Sequence, residues 1–298
     1  MKISTKGDLL YSEPMSRHTT WRVGGPAEYY YQPADSDDLV NFLTDLDSTV
    51  PLFLLGLGSN LLVRDGGIDG VVIATAGRLN DFKLLTENLI RVEVGVPCAI
   101  VARKTVNMNL SGAEFLAGIP GTMGGALAMN AGAFGGETWS IVECVETIDR
   151  KGRIRCRNKD DFEIGYRFVH GANEEWFLAA HLRLSKNQSG LGKVEIKELL
   201  KKRSLSQPTK WPSCGSVFKN PENHFAAKLI EESGLKGKKI GGAQVSEKHA
   251  NFIINLGDAK ASDIEALMND IIETVNEKFN IKLQSEVHVI GKLLDDPK

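Results

Sequence analysis

At 298 residues the chain is long enough for two or three modest domains with a substantial core. Hydrophobic residues make up 42% and charged residues 25%, an ordinary globular composition that excludes a disordered chain. A formal net charge of -2 gives no electrostatic case for nucleic acid or for a membrane surface.

Met1 to Lys6 has no apolar stretch behind its positive charges, so no signal peptide is expected. Glu28 to Gln32 reads as a strand closed by Pro33. Asp35 then offers an N-cap before Leu39, Val40, Phe42 and Leu43, which predicts a helix. Leu52 to Leu55, Leu61 to Val63 and Val71 to Ala74 read as strands, the last two separated by the turn Asp65-Gly66-Gly67. Leu89 to Val94 opens a second region, and a helix follows Pro97, reaching about Asn107. Thr122 to Ala131 predicts a short helix with Thr122 as N-cap. Ile141 to Asp149 and Ile154 to Arg157 predict a hairpin around Lys151-Gly152, and Phe177 to Leu184 another strand.

Ser185 to Gly192 is polar and reads as a linker. Lys193 to Arg203 and Phe225 to Glu232 are helical in pattern, the second stopped by Gly234. Ser262-Asp263-Ile264-Glu265 predicts a capping box, followed by an apolar face of Ile264, Leu267, Met268, Ile271, Ile272 and Val275. Glu286 to Ile290 reads as a closing strand. No run of about eighteen apolar residues occurs, so no membrane insertion is expected. Cys98, Cys144, Cys156 and Cys214 show no zinc or redox spacing, so free thiols in a reducing cytosol are expected, with no metal.

Three segments draw chemical interest. Leu55-Gly56-Leu57-Gly58-Ser59-Asn60-Leu61 follows a strand, and glycine lets backbone N–H groups approach a phosphate. The third glycine of the dinucleotide fingerprint is missing and a strand follows, so this is no Rossmann loop. Alone it is equally a phosphate loop and a tight turn. Gly112 to Gly136 holds eight of the chain's 30 glycines among apolar residues, which means backbone lying close to something large. Gly124-Gly125 at a helix start suits an anion, and close helix–strand packing wants glycine equally. Two such loops favour a dinucleotide lying across both, and neither matches a nicotinamide fold, which points to flavin. Cys214-Gly215-Ser216-Val217-Phe218-Lys219-Asn220-Pro221 places a thiol, a hydroxyl, an ammonium and an amide in a loop bounded by Pro212 and Pro221. No Gly-x-Ser-x-Gly elbow surrounds Ser216, which argues against acyl transfer. A structural turn remains the alternative. Gly165-Tyr166-Arg167 and Ser285-Glu286-Val287-His288 would each pass as surface charge if read alone.

Taken in order, these segments resemble the MurB family. The likeness runs from His18-Thr19-Thr20-Trp21-Arg22-Val23-Gly24-Gly25 to Glu286-Val287-His288-Val289-Ile290-Gly291. Its most specific parts are Gly118-Ile119-Pro120-Gly121-Thr122-Met123-Gly124-Gly125 with Met129-Asn130-Ala131-Gly132-Ala133, and Gly215-Ser216-Val217-Phe218-Lys219-Asn220-Pro221. The resemblance implies an α+β fold. A two-subdomain FAD-binding domain of the vanillyl-alcohol-oxidase/PCMH type would span 1–82 and 83–187. A substrate-binding domain would span 188–283, with 284–298 returning to the first subdomain.

It also implies NADPH-dependent, FAD-mediated reduction of UDP-N-acetylglucosamine enolpyruvate, a step of peptidoglycan synthesis, by a cytoplasmic monomer. FAD would be held non-covalently by Gly56, Gly58, Ser59, Asn60, Leu61, Gly118, Ile119, Pro120, Gly124, Gly125, Asn130 and Gly132. Ser216 would be the proton donor, with Arg167 and Glu286 completing the catalytic set. Tyr166, Lys219, Asn220, His249 and His288 would contact the UDP-sugar. The chain departs from the family pattern at Val169, where serine is usual, and at His288, where arginine is usual. The short segment from Arg167 to Phe177 matches the family's shorter form. The rival readings are another FAD-dependent oxidase or dehydrogenase of this fold and a non-catalytic sugar-nucleotide-binding module.

Overall fold

The computed structural model describes residues 5–171, 173–187 and 190–294, which form two compact units. One comprises residues up to 10, 29–57 and 70–202; the other comprises 11–28, 58–69 and everything from 203 on. Both mix helices and strands, as expected.

In the first unit the runs of apolar residues become the middle of a five-stranded antiparallel sheet. Its order is Ile154–Asn158, Val142–Asp149, Glu175–Arg183, Leu89–Glu93 and Phe82–Leu84. Ile90, Val92, Val145, Ile148, Ala180 and Leu182 face the core. Alternation sends Arg91, Glu146 and His181 to the other face, where Arg91 donates to both Glu146 oxygens at 2.7 and 2.6 Å. The helix Cys98–Asn107 starts after Pro97, as the sequence predicts. Leu52–Leu55 runs parallel to Ile68–Ala74. The expected linker contains a two-residue strand, Ser185–Lys186, paired with Leu110–Ser111, and the helix after it is Gly192–Ser206.

Asp38 anchors the start of this unit. It is 2% exposed and accepts from Lys6 N at 2.8 Å, Gly7 N at 2.9 Å, Ala34 N at 3.0 Å and the Tyr31 hydroxyl at 2.6 Å. Burial alone would raise its pKa. The hydrogen bonds from Tyr31 and the backbone outweigh that and hold it at about 2. A value below that of the unfolded chain means that Asp38 stabilises fully above about pH 4 and loses this effect as pH falls towards 2. Asp38→Asn leaves backbone donors unsatisfied and should cost about 1–3 kcal/mol at neutral pH. Melting both proteins from about pH 7 to 2.5 should show the gap narrowing as the wild-type carboxylate protonates. A gap that does not change with pH would contradict this account.

The second unit is built on the helix Ala261–Phe279, whose Ile264, Leu267, Met268, Ile271 and Val275 are buried as their spacing requires. The helix packs on a three-stranded antiparallel sheet, Lys239–Ile240, Ala243–Val245 and Ile253–Asn255. Trp21 is fully buried here, and its Nε1 donates to the Ile253 carbonyl at 2.7 Å. The helix start corrects the expected capping box. Ser262 is already helical. Asp263 accepts from Lys260 N at 3.0 Å, and Asp65 accepts from Ala261 N and Ser262 N, each at 3.0 Å. A distant carboxylate thus serves the first amides of the helix.

Asp65 belongs to the segment that most changes the expected domain plan. Leu61–Val63 does not pair with Ile68–Ala74. It runs parallel to the last strand, His288–Ile290, in the register Leu61↔His288, Leu62↔Val289, Val63↔Ile290. The closing strand is therefore shorter than Glu286 to Ile290. It pairs with residues of the early chain, but these, within 58–69, are part of the C-terminal unit. The boundary expected at 82/83 lies inside the first unit.

Candidate active site

In the glycine-rich stretch of the first unit, Gly118, Gly124, Gly132 and Gly136 are closely packed against protein. A Cβ on Gly118 would lie 2.4 Å from the Phe134 ring, one on Gly136 2.6 Å from the Phe115 ring, and one on Gly132 2.6 Å from the Gly136 carbonyl. A Cβ on Gly124 would meet Val94 at 2.9 Å. The amides at the start of the short helix Met123–Ala128 are also engaged: Met123 N donates to Val96 O and Gly124 N to Val94 O, both at 2.9 Å. The anion site expected at Gly124 is thus a packing contact. Gly125 differs, because it is exposed and a Cβ there meets nothing within 4 Å. Ile119 and Pro120 reach solvent beside this stretch.

Thr122 occupies the expected N-cap position, but its hydroxyl makes no capping bond. Its Oγ1 is buried without a hydrogen-bond partner, and a Cβ on Gly56 would sit 2.5 Å from it. A buried hydroxyl without a protein partner, beside a glycine and near an open glycine face, suits a polar ligand held against the backbone. These residues fit the expected FAD: Gly56, Thr122 and Gly125, with Ile119 and Pro120, are the groups that would hold it in this unit. The sequence gives no sign of this role for Thr122, because its place before a helix reads fully as a cap.

Arg167 lies in a two-residue turn between Phe162–Gly165 and Phe168–Gly171, with φ +60°. That left-handed conformation costs a non-glycine residue about 1–3 kcal/mol, and such strain clusters at functional sites. Its Nη2 donates to the Gly132 carbonyl at 3.4 Å, and its guanidinium lies 5.4 Å from the Tyr166 ring centroid. Tyr166 is 50% exposed. Asn130 is buried, and its amide side chain bonds to Glu137, Gly165 and Trp139. This corrects its expected place among the cofactor ligands. Val169, at the family's serine position, pairs with Ile164 and packs against the core.

In the second unit the backbone around Ser216 is held from two sides. Val217 N donates to Asn251 O at 2.9 Å. The Asn251 side chain accepts from Phe218 N at 2.9 Å and donates to Phe218 O at 2.8 Å. On the other side Glu286 N donates to Val217 O at 2.8 Å, and Lys219 N to Gln284 O at 2.9 Å. The segments that carry Ser216 and Glu286, 70 residues apart in sequence, are thereby joined through their backbones, and both residues are half-buried. Asn60 ties the early loop to the same place: its Nδ2 donates to Glu286 O at 2.9 Å, and His288 N donates to Asn60 O at 3.1 Å. Ser59 is half-buried beside it, and Gly58, with φ +60°, passes close to the His18 carbonyl. Asn251 was missed, although an amide inside Ala250-Asn251-Phe252-Ile253-Ile254 is a signal that a buried polar group has a fixed task.

Other expected residues have partners within the protein. Leu61 is 5% exposed and its N–H donates to Cys214 Sγ at 3.2 Å, so neither its side chain nor its amide is open to a cofactor. Burial pushes the Cys214 thiol up to about 12, which removes it as a redox nucleophile. Asn220 caps a helix, its Oδ1 accepting from Ala226 N at 3.0 Å. His249 accepts from Asn251 N at 3.3 Å and stacks edge-on with Phe252, and burial lowers its pKa. His288 reaches solvent, yet desolvation first, and the Lys219 ammonium second, lower its pKa. Both effects favour the neutral imidazole, and Lys219 is the cation beside it.

A family model described as FAD binding domain matches residues 27–157, and one described as UDP-N-acetylenolpyruvoylglucosamine reductase, C-terminal domain, matches 207–290. The chain is 55% identical over 288 residues to the UDP-N-acetylenolpyruvoylglucosamine reductase of Methylococcus capsulatus, covering 97% of this chain and 95% of that protein. It is 55% identical over 288 residues to the protein of the same name from Legionella pneumophila strain Lens, with 96% and 94% covered. Among solved structures, the UDP-N-acetylenolpyruvylglucosamine reductase (MurB) of Thermus caldophilus superposes with a TM-score of 0.82 at 32% identity, covering 96% of this chain and 99% of that one.

Proposed function

The chain belongs to the MurB family of UDP-N-acetylenolpyruvoylglucosamine reductases, and from that premise we propose that it reduces UDP-N-acetylglucosamine enolpyruvate to UDP-N-acetylmuramate, with NADPH as reductant. This would serve peptidoglycan precursor synthesis, and with it cell shape and division, in the cytoplasm. The observation that supports the reading is the Glu286 N–H bonded to Val217 O at 2.8 Å, which joins the backbone of the closing segment to that of the Ser216 loop.

The reaction adds hydride to one alkene carbon and a proton to the other. FAD held by Gly56, Thr122 and Gly125 would supply the hydride chemistry, with NADPH as the source of the hydride. Negative charge then moves towards the substrate carboxylate, and the chain's polar groups act on that charge. Arg167 offers paired N–H donors to the carboxylate. Ser216 donates the proton to the carbanion carbon: a hydroxyl is a weak acid, but an enolate is a strong base. Glu286, in its protonated form, donates to the developing enediolate. Lys219 stabilises the alkoxide left on Ser216.

The test is NADPH consumption by the yellow protein. Oxidation should depend on the enolpyruvyl sugar nucleotide; turnover with oxygen alone would sink the reading. A second expectation concerns the open glycine face. Gly125→Ala should stabilise the flavin-free protein by about 0.5–1 kcal/mol, because alanine favours the helix. The same methyl should lower the flavin-to-protein ratio, read from absorbance after purification. Full flavin content in this variant would remove Gly125 from the cofactor site.

A further inference from the structure

We infer that Asn130 is a positioning residue for Arg167: it holds the turn that carries the guanidinium rather than the cofactor. The inference rests on the role proposed above for Arg167. Asn130 is 4% exposed and has φ +40°. An amide side chain has two N–H donors and one carbonyl acceptor. Here Nδ2 donates to the Gly165 carbonyl and to Glu137 Oε2, both at 3.2 Å, and Oδ1 accepts from Trp139 N at 3.1 Å. Both donors are engaged by the protein, and the carbonyl is held by a backbone amide.

The Gly165 carbonyl is the last one before Tyr166-Arg167. The turn there places Arg167 at φ +60°. A bulky residue stays in that region only where its surroundings over-determine it. Asn130 supplies one restraint through Gly165. Two residues on, the Gly132 carbonyl supplies another by accepting from Arg167 Nη2 at 3.4 Å. The segment 130–132 therefore restrains both the backbone from which Arg167 projects and the direction of its head group. A displacement of about 1 Å at a reacting group can cost roughly 10²-fold in rate.

The test uses the flavin-loaded protein carrying Asn130→Ala, Arg167→Ala or both. Flavin absorbance follows reduction by NADPH and reoxidation by the enolpyruvyl sugar nucleotide. Asn130→Ala should leave reduction within about twofold and slow reoxidation about tenfold, but cost less than about twofold when Arg167 is already alanine. Flavin content should stay at the wild-type ratio. An equal cost with and without Arg167, an equal slowing of both half-reactions, or loss of flavin would each overturn the inference. If Arg167→Ala itself leaves reoxidation unchanged, the proposed role of Arg167 fails and takes the inference with it. If Arg167→Ala is slow but uncoupled from Asn130, only the inference fails. Asn130→Asp keeps the shape and the acceptor for Trp139 while turning a carboxylate towards the Gly165 carbonyl. Its deficit must likewise vanish without Arg167, which keeps the test open if the alanine variant does not fold.

Discussion

Replacing Ser216 with alanine is expected to leave flavin bound and reducible by NADPH, while slowing reoxidation by the enolpyruvyl substrate about 10²–10⁴-fold. The structure explains why the damage stays local. The Ser216 loop is held through main-chain groups and the Asn251 amide, and none of those bonds uses the serine hydroxyl. Val217 and Phe218 beside it are buried at 0% and 1% exposure and stay in the core. The variant should therefore melt within about 0.5 kcal/mol of wild type, as a half-exposed substitution does. Stopped-flow absorbance separates the two half-reactions. Reoxidation at the wild-type rate would remove Ser216 as proton donor.

Arg167→Gly should raise stability and show a comparable loss in chemistry. The arginine is held at φ +60°, a region glycine occupies freely. Relieving that conformation should raise stability by up to about 1 kcal/mol. Reoxidation by substrate should nevertheless fall about 10²–10³-fold, the usual cost of removing a preorganised group that stabilises developing charge. Thermal melting and the reoxidation rate, measured on one preparation, check both signs. A variant that melts lower would contradict the strain argument. One that reduces substrate normally would contradict the catalytic role. An enzyme that is more stable but slower is the pattern expected where function keeps a strained residue in place.

The local elements were largely legible in the sequence because their causes are local. Pro97 starts a helix that ends at Asn107, and the spacing of Ile264, Leu267, Met268, Ile271 and Val275 gave the buried face of the long helix. Gly234, with φ +75°, stops the helix ending at Glu232. The failures were long-range. Asp65 caps a helix almost 200 residues away, and Leu61–Val63 pairs with the chain's last strand rather than with its neighbour. A capping box and a strand–turn–strand pattern read the same whichever partner finally satisfies the hydrogen bonds.

The candidate site divides in the same way. By itself the sequence determined the family, through the order of its motifs, and therefore the residue types that such chemistry needs. Only the tertiary structure decided which residues are open to a ligand. Gly124 and Gly125 are neighbours in one motif, yet a side chain would meet Val94 at the first and nothing at the second. Asn130 and Asn60 both read as donors for a cofactor, yet one braces the arginine turn and the other ties Glu286 to its loop. Thr122 read as a cap and carries a buried hydroxyl with no protein partner. The physical reason is that composition and spacing specify what a side chain can bond to. Which of those bonds the protein itself makes depends on segments far away in sequence that fold against it.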